Sequence, residues 1–113
     1  MRWYDRLYVG EKAKKDRYSV IQAVRRGKPM GYYVLTPASN GKNLLDIYPA
    51  LTLMQPYYKE KDILIVGVAA DYADAAELAG RIVGEVYKKT GGFDISGFLF
   101  GEDENAPYFD IDT

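Results

Sequence analysis

From Ala75 onward, apolar residues return at Leu78, Ala79, Ile82, Val83, Val86 and Tyr87. That i, i+3, i+4 spacing predicts an amphipathic helix with one buried stripe, over about residues 72–89. Asp71 stands at the N-cap position, Asp74 adds negative charge to the first turn, Lys88 and Lys89 suit the carboxyl end, and Gly91 suits a left-handed stop. An earlier stretch, Glu11 to Arg26, sets Ala13, Val20, Ile21 and Val24 on one side of a helical wheel, with Gly27 and Pro29 ending it. Trp3, Tyr4, Leu7 and Tyr8 also have helical spacing, but their face does not continue that wheel. Residues 2–9 therefore read as either a helical turn or an extended arm.

Strand patterns lie between and after the helices. Residues 31–36 are rich in aromatic and β-branched side chains, 37–41 carry turn chemistry centred on Asn40-Gly41, and 44–48 resume the strand pattern, so 31–48 is a predicted hairpin. Pro49 breaks or bulges it. Leu51 to Gln55 either continues the strand or forms a helical turn, and 56–62 is a polar connection. Ile63 to Ala70 is apolar on both alternating faces, Ile63/Ile65/Gly67/Ala69 against Leu64/Val66/Val68/Ala70. Such a strand sits centrally in a sheet covered above and below. Phe93 to Phe100 is predicted as the last strand. The expected fold is a single α+β domain over 1–113, a two-layer sandwich of two main helices and a mixed four- or five-stranded sheet, ferredoxin-like in general architecture. An acidic tail, 102–113, follows.

Composition removes several chemistries. The 113 residues include no Cys and no His, which excludes disulfides, thiolate nucleophiles, zinc–thiolate sites and imidazole bases. No apolar run resembles a signal h-region or a membrane span, so the expectation is a cytoplasmic protein without membrane contact. The net charge of −1 hides an asymmetry: residues 1–42 carry ten Lys/Arg against three Asp/Glu, and 43–113 carry five against thirteen. Mutual neutralisation within the fold is the plainer reading, and an anionic partner for the basic part is the sharper one.

The strand–turn–helix at 63–92 has the outline of a nucleotide site without its content. Gly67 lacks the companions a dinucleotide fingerprint or a P-loop needs, and Asp71 and Asp74 repel anions from the helix N-terminus. No cofactor and no metal site is expected, and no spacing selects catalytic residues. Candidate ligand or nucleic-acid contacts are Lys12, Lys15, Arg25 and Arg26 on the basic first helix, with Tyr57, Tyr58 and Lys59 as an aromatic–cation segment. On a continuous wheel, the cations of residues 12–28, Lys28 included, flank the apolar face on both sides. Ala76, Gly80 and Gly84 form a small-residue strip, where interior glycines cost about 1 kcal/mol each relative to Ala. Either something in the same domain packs close to them or a second subunit does. Tyr108 and Phe109 in the tail either dock on an apolar groove or fray. The leading expectation is a non-catalytic association or regulatory domain that forms a homodimer, because two helices leave one sheet face open. The alternatives are a binder of nucleic acid or an anionic ligand, and an enzyme using carboxylate, Lys or Tyr chemistry.

Overall fold

Six consecutive apolar residues, Leu64–Ala69, form a strand in which every residue is buried. In the computed structural model, which describes residues 2–26, 31–37, 44–59, 63–100 and 108–110, this strand is β4 and the sheet is built around it. β1 (Arg2–Val9), β2 (Tyr33–Pro37), β3 (Leu45–Pro49) and β5 (Tyr108–Asp110) complete the order β3-β2-β4-β1-β5. β1 runs parallel to β4, and the other neighbouring pairs are antiparallel. The main helices are α1 (Arg17–Arg25) and α3 (Tyr72–Thr90), with short α2 (Pro56–Lys59) and α4 (Ile95–Phe100). The expected α+β sandwich with a mixed sheet and two main helices is present. Residues 2–9 are the extended arm, and 108–110 of the tail join the sheet beside β1.

Apolar clusters lie on both sheet faces. On one, Ala75, Leu78, Ile82 and Val86 of α3 and Ile95 and Leu99 of α4 pack on Leu64, Val66, Leu35 and Tyr4. On the other, Ala13, Val20 and Val24, together with Ala50 and Leu53 from a 3-10 turn at Ala50–Met54, pack on Trp3, Val34, Ile65 and Val68. Both faces of β4 are thus covered within one chain, which removes the open-face argument for a second subunit.

The alternation along β4 slips by one residue. Val66 and Ala69 share a cluster, as do Ile65 and Val68, so the expected two sets of four hold only up to Val66. The register with β1 breaks at the same place, where Tyr4 to Leu7 lie opposite the single residue Val66. A bulge of this kind re-aims side chains, and within it Tyr4 donates to the Leu99 carbonyl at 2.9 Å. A Cβ on Gly67 would stand 3.1 Å from Leu78 Cδ2, so glycine here allows the close seating of α3.

Two elements differ from expectation. The first helix is broken: a 3-10 turn at Ala13–Asp16 precedes α1, and Asp16 (φ −141°, ψ 47°) is not helical. The expected strand at 93–100 is helix α4. Asp94 accepts from the Gly97 amide at 3.0 Å, and Ile95 and Leu99, four apart, both face α3. Packing of an i, i+4 pair outweighs the strand preference of the aromatic residues. The predicted turn at Asn40-Gly41 and Lys28 lie outside the described residues. Among the described residues no helix is long and apolar enough to cross a membrane.

Burial pushes the Tyr8 hydroxyl up to about 12, with the Glu85 carboxylate adding to the shift. The folded state therefore holds this proton more tightly than the unfolded chain does. Its contribution to stability is complete below pH ~10 and is lost as pH rises through ~12. Thermal unfolding should show a drop in midpoint across that window that is smaller in Tyr8→Phe. An unchanged drop would remove Tyr8 from the alkaline transition.

Candidate functional site

β1 and β4 are adjacent and parallel, but the chain leaves β1 toward α1 on one face and leaves β4 toward α3 on the other. In open α/β sheets the crevice between two such strand ends is where ligands bind. Here Asp74 closes it. Its side chain, in a residue only 3% exposed, accepts from the amides of Lys12 (3.1 Å), Ala13 (3.3 Å) and Ala70 (3.0 Å). Those are the backbone donors that an oxyanion would need, and they are already taken. The three amides that converge at the start of α3 are thus satisfied by a carboxylate of the same chain.

Neighbouring contacts tie the same loop to α3. Asp71 caps the helix by accepting from the Asp74 amide at 2.8 Å, and its second oxygen holds the Lys12 ammonium at 2.9 Å. Arg81 donates to Glu11 Oε1 at 2.8 Å and to the Val9 carbonyl at 3.0 Å. A Cβ at Gly10 would collide with the Asp74 carboxylate, so the loop approaches this closely only with glycine there. The Asp74 amide, then Lys12, hold the Asp71 carboxyl below its usual range, and Asp71 in turn raises the Lys12 ammonium. Lys14, then Arg81, lower Glu11.

The surface left open is the outer side of α3. Ala73, Ala76, Gly80, Gly84 and Tyr87 recur at three- and four-residue spacing and are all exposed, which makes one strip about 21 Å long. A Cβ on Gly80 or on Gly84 would meet nothing within 4 Å, so none of the described residues packs against the two glycines. At the carboxyl end of the strip Tyr87 and Phe93, each more than half exposed, stack at 5.2 Å.

The other sequence candidates are scattered. Lys12 is committed to Asp71, while Lys15, Arg25 and Arg26 are exposed on the opposite side of the sheet from α3. Tyr57 and Tyr58 meet edge to face at 5.0 Å, and Tyr58 lies against Tyr48; the Lys59 side chain lies outside the described residues. Tyr108 and Phe109 pair through their backbone with Tyr4 and Trp3 of the same chain. Sequence reasoning missed the role of Asp74, which reads there as an ordinary first-turn acid. The only hint is the conjunction of Gly10 with a second acid three residues after the cap. No protein-family model, no curated protein and no solved structure matches this chain.

Removing the Asp74 carboxylate strands three amides, each of which costs free energy when buried without a partner. Asp74→Ala should destabilise the protein by about 3 kcal/mol, and Gly10→Val should do so by a comparable amount through the collision. Denaturant unfolding checks both. Wild-type stability in Asp74→Ala would contradict this role for the carboxylate.

Proposed function

We propose that the protein is a non-catalytic association domain whose two copies pair through the outer face of α3. The observation that carries this reading is the open space over Gly80 and Gly84. Glycine inside a helix costs about 1 kcal/mol relative to Ala, and among the described residues no contact at these two glycines offsets it. A second helix seated on the strip would use the close approach they allow, since the distance between helix axes is set by the side chains at the contact.

Charge favours an antiparallel, two-fold arrangement. Glu77 and Lys88 are both exposed, lie on the same flank of the strip, and have no ion-pair partner among the described residues. Setting Glu77 against the partner's Lys88 brings Gly80 within one residue of the partner's Gly84, with the same contacts repeated by symmetry. Tyr87 then lies toward the end of the partner helix that carries Ala73 and Ala76. One helix pair is a small interface, so the association belongs to the weak, transient class.

Sedimentation over roughly 1 to 100 µM should show mass rising with concentration, the range suited to a weak interface. Gly80→Leu with Gly84→Leu should give a folded monomer. Glu77→Lys or Lys88→Glu alone should weaken pairing, and the two together should restore it. A wild-type monomer throughout that range would end this reading.

A further inference from the structure

We propose that the outer surface of the Ala13–Arg25 layer is a second binding surface, one that takes single-stranded nucleic acid. From Lys12 to Arg26 the chain carries six cations and a single acid, Asp16; in the fold Lys12 is drawn off to Asp71 and Lys14 to Glu11. Lys15, Arg17, Arg25 and Arg26 remain exposed with no ion pair among the described residues. The helix dipole accounts for Arg25 and Arg26 at the carboxyl end of α1. It does not account for Lys15 and Arg17 at the amino end, where cations are disfavoured. Helix stability alone would not place them there.

Tyr18 stands among these cations with 73% of its surface exposed, more than any other large apolar or aromatic side chain among the described residues. Gln22 and Arg25 follow it at i+4 and i+7, on the same line along the helix. All three lie within α1, so the break at Asp16 displaces only the residues before Arg17 and leaves this line intact. An open aromatic face between cations about 12 Å apart along the helix suits a base stacked on the ring with phosphates held on either side. An anionic membrane would want further exposed apolar residues along this helix, and Tyr18 is the only large one that α1 exposes. α1 and α3 lie on opposite faces of the sheet, so pairing through α3 would leave this surface free, and neither proposal depends on the other.

Fluorescence anisotropy with a labelled oligo-dT of roughly 20 nucleotides tests this, long enough to cover one single-strand site. Affinity should fall with salt, with a log–log slope of about −3 for four phosphate contacts. Tyr18→Ala should weaken binding at least about fivefold, and Arg25→Glu with Arg26→Glu should weaken it further. All three positions are exposed, and circular dichroism confirms that the variants fold. No binding at roughly 50 mM salt, where phosphate contacts are strong, would overturn the proposal. So would binding to phosphatidylserine vesicles but not to oligo-dT, or oligo-dT binding that Tyr18→Ala leaves unchanged.

Discussion

The carboxylate of Asp74 is the contact on which the arrangement of this protein depends. It ties the turn after β1 to the end of β4 and the first turn of α3, which lie about sixty residues further along the chain. These are the points at which the chain leaves the two parallel strands for opposite faces of the sheet. A buried carboxylate that accepts several amides makes strong, charge-assisted hydrogen bonds. Its position also demands glycine at residue 10, where any side chain would occupy the same space. Arg81 and Lys12 then bind the loop from its outer side.

Closing that crevice shapes what the protein can do. The place where a sheet of this kind would hold a ligand is used to hold the fold together. Both faces of β4 are covered within the chain. The two helical layers offer opposite characters. The outer side of α3 carries small residues, ends in exposed aromatic rings, and has Glu77 and Lys88 exposed on one flank. The outer side of α1 is cationic with one aromatic ring standing clear. Within the fold, Lys12–Asp71 and Arg81–Glu11 join the basic part of the sequence to the acidic part.

The elements with strong periodicity were legible in the sequence. α3, its Asp71 cap and its Gly91 stop (φ 75°) follow from spacing and local chemistry, as do the β2–β3 pairing and the central place of β4. What the sequence concealed were outcomes of tertiary contact. α4 is helical because Ile95 and Leu99 dock on α3, although its residues favour strand. The helix expected from Glu11 breaks because residues 11–13 are held by α3. The face slip at Val66 follows from four residues of β1 bulging past it, which no pattern within β4 records. For the candidate surfaces, residue types were readable but exposure was not. Nothing in the sequence of Gly80 and Gly84 distinguishes a glycine packed within the domain from one facing open space.

Native-state amide hydrogen exchange at Lys12, Ala13 and Ala70 tests the central claim most directly, because it reads the three donors one by one in the unaltered protein. The account predicts protection at all three close to that of Val66 and Val68 in the core of β4. Exchange of Lys12 and Ala13 at the rate of an open loop, while β4 stays protected, would show that the Asp74 carboxylate does not hold the fold together.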